Sequence, residues 1–323
     1  MIILDPTLTE SIQGSNDRHT DLHFCINPFN LPGLAADTAD VYAQLLAHAF
    51  TAMLGDGNQS LSLQMTTLLH PCLRVLVERP GSTLFDLQRF MLNHTNEDLV
   101  EWGSQKGPKA HRRFFRELFC ADGYAATRHS VATKCQHLLN SEWCTRLLAS
   151  GKSTINLFDA LNSGKKIVVN LAKGKVGGQT GQALGRFLVA MIAGAAFSRH
   201  RQPRSARVPI HLFIDECHTV ISEDLQTILT ETRKFGLHLT LAQQFVGQGM
   251  DRHLREAVLT NSGVKVLDGR ARTNRASLST HFQLPPDEFP DLLPGSFLAH
   301  VGGRNVRITL PRRSLGHRQS VSQ

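Results

Sequence analysis

The hydrophobic and polar positions of the chain fall into three stretches of different rhythm. The first holds two short apolar runs, Ile2–Leu4 and Leu22–Ile26, each closed by a polar or Pro-containing turn, and reads as two strands. Ile2-Ile3-Leu4 stops at once in Asp5-Pro6, like the C-terminal end of an internal strand, which predicts that part of the fold lies upstream of residue 1. From about Ala35 to Ser150 a helical period takes over. Val41, Leu45, Leu46, Ala49 and Phe50 form one apolar face, and Leu61, Leu63, Met65, Leu68 and Leu69 form the next. Breaks are expected at Gly55-Asp56-Gly57, Pro71, Pro80-Gly81 and Gly107-Pro108. Thr83-Leu-Phe-Asp86 has capping-box form and predicts a helix through Leu92. Phe114, Phe115, Leu118 and Phe119 read as the buried side of another helix. Val131, Cys135, Leu138 and Leu139 belong to a further one running towards Leu148.

Strands and helices alternate from Ile155 onwards. Lys166–Leu171 reads as a strand, and a Gly-rich loop (Gly174, Gly177, Gly178, Gly181) leads into an apolar helix over 182–198. Pro209–Ile214 is a buried strand of a parallel sheet by its unbroken apolar character. Ser222 caps a helix with Glu223 and Asp224 early and Arg233 and Lys234 late, closed by Gly236. The strand Leu237–Leu241, a helix over 251–260, the strand Val264–Leu267 and a helix near 272–282 follow. Phe297–Val301 and Val306–Leu310 flank Gly302-Gly303, a hairpin signal. The expected architecture is α/β, with a mostly parallel central sheet and an all-helical segment set between strands.

Composition narrows this only slightly. At 323 residues the chain can bury one large core or a core with a satellite. A net charge of +8 favours a polyanionic partner, nucleic acid or a membrane surface. The six cysteines form no CxxC pair, which points to reduced thiols and away from a cysteine zinc site. No signal peptide is visible. The most apolar helical run, Leu184–Phe197, is shorter than the ~20 residues of a membrane span and reads as a core helix.

Chemistry concentrates where Phe213-Ile214 runs into Asp215-Glu216. Ligands of open α/β sheets bind beyond the C-terminal ends of strands. There the first acid can hold Mg²⁺ through water and the second can orient or deprotonate an attacking water. The bland alternative is a strand that stops at a polar turn. His218 beside the acids leaves open a metal-dependent hydrolase, although no spaced ligand set accompanies it. Arg233 is a cation at a helix C-terminus, where dipole stabilisation and solvation are its bland account. Gln244, after the next strand, can sense a γ-phosphate or position water. Gly151-Lys152-Ser153-Thr154 mimics a phosphate loop but has Arg146 where that motif needs glycine, and lies after a helix and before a strand; it reads as a plain loop. The G-x-x-G-G-x-x-G run over 174–181 matches no phosphate motif and reads as a surface loop. Lys106, Lys109, Arg112, Arg113 and Arg116 flank Phe114-Phe115, either as a DNA-facing patch or as a solvated basic helix face.

Phe213-Ile-Asp-Glu-Cys-His218, Ile228-Leu-Thr-Glu-Thr-Arg-Lys-Phe-Gly236 and Leu239-Thr-Leu-Ala-Gln-Gln244 together resemble the ATPase core of the conjugative coupling proteins. These are the TraG/TraD-type members of the HerA/FtsK superfamily of hexameric DNA pumps. Ile167–Leu171, Asn261-Ser-Gly263 and Leu293-Pro-Gly-Ser-Phe297 with Gly302-Gly303 match in order, so the likeness runs from about 155 to 311. The resemblance implies a RecA-like P-loop NTPase fold with core segments 1–30 and 155–311, an inserted all-helical domain over 31–154, and a basic, disordered tail over 312–323. It implies ATP and Mg²⁺ as cofactors, Asp215 and Glu216 as the Walker B pair, Gln244 as the sensor and Arg233 reaching a neighbouring subunit's site. It also implies DNA, further copies of the chain in a hexameric ring, and relaxase or secretion-channel proteins as partners, at the cytoplasmic face of the bacterial inner membrane. Met1–Pro6 would follow the phosphate-loop helix, so that loop is expected upstream of residue 1. A chain without it can alternatively be a non-hydrolysing module that joins a hexamer or binds DNA.

Overall fold

The computed structural model describes residues 2–4, 10–12, 20–22, 25–29, 36–54, 63–171, 174, 177–220, 231–268 and 275–310. The chain divides into two compact units, residues 1–240 and 241–323.

In the first unit, β1 (Ile2–Leu4) is a strand, as its apolar run predicts. β2 (Glu10–Ile12) and β3 (Thr20–Leu22) form a short antiparallel hairpin. The strand expected over Leu22–Ile26 is therefore displaced: only Leu22 is in one, and His23 and Phe24 lie outside the described residues. Cys25–Asn27 is irregular and buried, yet its backbone is satisfied by the far loop at 152–154 and by Leu147. The Cys25 amide donates to Thr154 Oγ1 (3.0 Å), the Thr154 amide to the Cys25 carbonyl (2.9 Å) and the Asn27 amide to Ser153 Oγ (2.8 Å). Side-chain hydroxyls thus replace strand partners, which explains how a buried segment without a ladder meets its hydrogen-bonding needs.

Eight helices follow among the described residues: α1 (Ala36–Leu54), α2 (Leu63–Glu78), α3 (Leu84–Met91), α4 (Glu97–Gln105), α5 (Lys109–Arg113), α6 (Asp122–Leu139), α7 (Glu142–Leu148) and α8 (Leu157–Asn162). Pro71, read as a break, lies inside α2. Leu68, Leu69, Cys72, Leu73 and Leu76 are all fully buried around it, and that burial outweighs the one backbone bond a proline forfeits. The α3 start is as expected, with the Thr83 amide donating to Asp86 Oδ2 at 2.9 Å. Val41 and Leu63 do not share the buried faces assigned to them and are exposed. Leu118 is also exposed, because Phe114–Leu118 winds as a π-helix in which the Phe119 amide reaches back to Phe114. The wider turn keeps Phe114, Phe115 and Phe119 inside and rotates Leu118 out. The helix expected through Leu148 is two helices, split at Asn140-Ser141.

β4 (Ile167–Val169) pairs in parallel with β1, Ile2 facing Ile167 and Leu4 facing Val169. The apolar helix α9 spans Gly178–Phe197, so Gly178 and Gly181 are helical rather than part of a loop. With the turn that continues it to His200 it is long and apolar enough to cross a membrane, which corrects the shorter length expected from sequence. Its inner face is nevertheless core: Phe187 meets Phe50 of α1 (5.5 Å between ring centroids), and Leu188, Met191 and Ala195 are buried. β5 (Ile210–Ile214) and β6 (Leu237–Leu241) form a pair. β5 is not buried on both faces as expected: Ile210 and Ile214 are buried, while Phe213 is 73% exposed. Its burial follows the two-residue period of a strand covered on one face. The helix expected from Ser222 lies largely outside the described residues; what is described ends in a tight turn, Thr232–Phe235, closed by Gly236 at φ +85°.

The second unit holds α10 (Arg252–Asn261), β7 (Val264–Asp268), α11 (Arg275–Phe282), β8 (Ser296–Val301) and β9 (Arg304–Thr309). β7, β8 and β9 are an antiparallel meander, and Gly302 and Gly303 both take positive φ (56° and 74°) in the turn joining β8 to β9. Two left-handed residues in a two-residue hairpin are what glycine permits. The core of this unit is Leu278, Phe282, Phe289 and Leu298. The architecture is mixed helix and sheet, and among the described residues the ladders are short, with β1 and β4 a parallel pair and β2–β3 and β7–β8–β9 antiparallel.

Candidate functional site

The acid pair sits immediately beyond the C-terminal end of β5. Asp215 is exposed, and its Oδ1 accepts the Glu216 amide at 2.9 Å, which tightens the chain as it leaves the strand. Glu216 then adopts φ 48°, ψ 48°, a left-handed conformation that costs a non-glycine residue on the order of 1–2 kcal/mol. The cost is met by a short helical turn, Cys217–Thr219, whose Thr219 amide and hydroxyl both donate to the Glu216 carbonyl (3.0 and 2.9 Å). Cys217 is fully buried beneath, and burial pushes its thiol up to about 11. The turn holds the Glu216 carboxylate near His218, Oε2 lying 3.3 Å from Nδ1. Behind it stands Val220, packed so close to Gly185 of α9 that a Cβ there would lie 2.4 Å from Val220 Cγ1. Only glycine fits, so α9 braces the acid turn.

Arg233 is placed elsewhere. It is exposed in the Thr232–Phe235 turn, and with Arg204, Arg207, Pro209, Lys234 and Gly236 it lines a basic cavity of about 510 Å³. This cavity adjoins the start of β5, where the Ile210 amide donates to the Gly236 carbonyl (2.8 Å). Asp215 and Glu216 follow the other end, and a five-residue strand at ~3.3 Å per residue separates the two ends by ~17 Å. The structure therefore does not bring Arg233 to the acids of its own chain. Arg199, which no sequence motif singles out, holds this end together. Fully buried, it donates to Asn162 Oδ1 (2.8 Å) and to the carbonyls of Val208 (2.7 Å) and Phe235 (3.4 Å). Its one signal in the sequence is an arginine closing an apolar helix, which marks a boundary but not a buried network.

Gln244 is exposed three residues beyond β6, in the second unit. Lys106, Lys109, Arg113 and Arg116 are exposed and Arg112 half-buried around the buried Phe114 and Phe115. One of the five is already engaged, Arg113 Nε lying 2.6 Å from Glu117 Oε2. The mimic of a phosphate loop at 151–154 is the loop that satisfies Cys25–Asn27, so its hydroxyls have a structural occupation.

No protein-family profile matches the chain, and no curated protein matches it in sequence. Solved structures do. The bacterial conjugative coupling protein TrwB in its unbound form is 16% identical, with 97% of this chain and 74% of that one superposed at a TM-score of 0.62. The plasmid coupling protein TrwB in complex with the ATP analogue ADPNP gives 17%, 98%, 75% and 0.63. VirB4 of Thermoanaerobacter pseudethanolicus gives 14%, 97%, 77% and 0.54. The chain has the fold of the conjugative coupling proteins. At such identities the likeness is one of fold, and it extends over nearly the whole chain rather than the 155–311 stretch where sequence motifs are dense.

Proposed function

We propose that this chain belongs to an ATP-driven DNA or nucleoprotein translocase of a conjugative type IV secretion system. The observation that carries the reading is the acid turn: two adjacent carboxylates presented at a strand end, the second in a held left-handed conformation, within a coupling-protein fold. Asp215 is exposed and its hard oxygens suit a hydrated Mg²⁺. Glu216, oriented by the turn and by His218, is the group to orient or deprotonate a water. Gln244 would sense the γ-phosphate. Arg233, a strand length away from the acids, suits a role in the site of an adjacent copy within a ring. In other phosphoryl-transfer systems such an arginine contributes about 10³–10⁵ in rate. ATP would supply the transferable phosphoryl group. No phosphate-loop motif occurs in the 323 residues, so the chain's own residues provide the Mg²⁺ and water side of the site and not the phosphate cradle.

The same reading assigns residues 1–30 and 155–311 to a RecA-like core, 31–154 to an inserted all-helical domain and 312–323 to a basic tail. The parallel pairing of β1 with β4 across the helical stretch supports it. Lys106, Lys109, Arg112, Arg113 and Arg116 are the candidate DNA contacts. The location would be the bacterial cytoplasm, at the inner membrane through partners that include relaxase or channel proteins. In a fusion that supplies a phosphate-loop segment ahead of residue 1, Glu216→Gln is expected to abolish ATP turnover while sparing ATP binding; unchanged turnover removes Glu216 from the mechanism. The second reading is a DNA-binding or ring-joining module without hydrolysis. The 323-residue chain is expected to show no ATPase activity of its own, and robust turnover would exclude that second reading.

A further inference from the structure

Three potential ligands of a metal converge in the helical stretch, far in sequence from the acid turn. Asp40 of α1, His70 of α2 and His111 of α5 each present one donor atom, and the three atoms lie within 4.8 Å of one another. His70 Nε2 is 3.7 Å from Asp40 Oδ1, too long for a hydrogen bond, and the two imidazole rings meet edge to face with centroids 4.9 Å apart. Asp40 Oδ1, His70 Nε2 and His111 Nδ1 are all buried without a hydrogen-bond partner among the described residues. Buried polar atoms are almost always satisfied, so three orphans facing one another point to a shared ligand.

We propose that Asp40, His70 and His111 form a divalent transition-metal site of the zinc class, which clamps α1, α2 and α5 together. The donor set, two imidazoles and one carboxylate, is of the borderline type that zinc accepts, and a water would complete the four ligands. Tetrahedral zinc at 2.0–2.1 Å from its ligands sets donor atoms ~3.3 Å apart, so the present spacing closes with side-chain shifts of about an ångström. The opposing influence is Arg74, whose Nε lies 3.8 Å from Asp40 Oδ1. Its Nη1 is drawn towards Glu78 (2.8 Å), which offsets part of its charge. Because α5 also carries Lys109, Arg112 and Arg113, occupancy would fix the basic segment in place.

The test is titration of the full chain with Zn²⁺ and, separately, with Co²⁺ as a visible probe. One equivalent is expected to bind and raise the melting temperature. The cobalt spectrum should show ligand-field bands without the thiolate charge-transfer band that a cysteine site gives. His111→Gln and Asp40→Asn, measured in parallel so that misfolding of one leaves the other, are each expected to weaken binding at least about tenfold and to remove the thermal shift. No stoichiometric binding by the parent chain, a thiolate band, or unchanged isotherms in both variants would overturn the site.

Discussion

Gly185 gives the most direct test of how the acid turn is braced. In Gly185→Ala the new Cβ would lie 2.4 Å from Val220 Cγ1 and 2.9 Å from Leu171 Cδ1, whereas carbon atoms rest at ~3.5–4.0 Å. Two effects oppose each other. Alanine in a helix gains about 1 kcal/mol over glycine. Forcing apart α9 and the turn by about 1 Å costs about 1–3 kcal/mol, since neither contact is the tip of a long, flexible side chain. The sum is a loss of up to about 2 kcal/mol, or a melting shift of several degrees at about 2–4 °C per kcal/mol. Gly123, near the start of α6, has nothing within 4 Å of the position a methyl group would take, so Gly123→Ala is expected to stabilise instead. The decisive assay is a double-mutant cycle in urea. Val220→Ala removes the atom that clashes most and leaves the milder contact with Leu171, so Gly185→Ala should cost less in that background than in the parent chain, with a coupling energy of about 1 kcal/mol or more. If Gly185→Ala stabilises the parent chain as much as Gly123→Ala does, α9 does not press on Val220 and the turn is not braced by it.

Three further outcomes follow from the same geometry. Glu216→Gly removes the left-handed penalty and should raise unfolding stability by up to about 1 kcal/mol by chemical denaturation, after the extra freedom glycine gives the unfolded chain; a clear loss would mean that the Glu216 side chain holds the turn. Arg199→Met leaves the Val208 and Phe235 carbonyls and Asn162 without their buried donor and should cost about 2–4 kcal/mol, so an equally stable variant would refute the buried network. Burial pushes the thiols of Cys135 and Cys144 up to about 12 and that of Cys217 to about 11. A group ionising later in the folded than in the unfolded chain loses its stabilising effect as pH rises, so stability should fall from about pH 9 towards 12. In the folded chain at neutral pH the exposed Cys120 should react with a thiol reagent well before these three; simultaneous labelling would contradict their burial.

What could be read from sequence was whatever a residue imposes locally. Gly302-Gly303 marks its hairpin because both positions need positive φ, and Thr83 with Asp86 marks a helix start through bonds three residues apart. The apolar run before Asp215 gave the strand to within a residue. Features set by distant partners were not readable. Pro71 looked like a break because the fully buried residues that override it act through other helices. Gly178 and Gly181 looked like loop although they are helical, and nothing near Gly185 in the chain announces the close approach of Val220. The π-turn that expels Leu118 leaves no periodic trace in so short a segment. Asp40, His70 and His111 meet only through the packing of three helices, and no spacing rule covers such a set.

The bonds from Ser153 and Thr154 to Cys25 and Asn27, together with the pairing of β1 and β4, have a topological consequence. They tie the chain just before the helical stretch to the chain just after it, so its two ends emerge side by side. Its connecting turns can lengthen or shrink at little cost to the strands, because closing a longer loop adds only about 0.6 kcal/mol per doubling. α1 is the exception, because its Phe50 packs on Phe187 of α9 and belongs to the core.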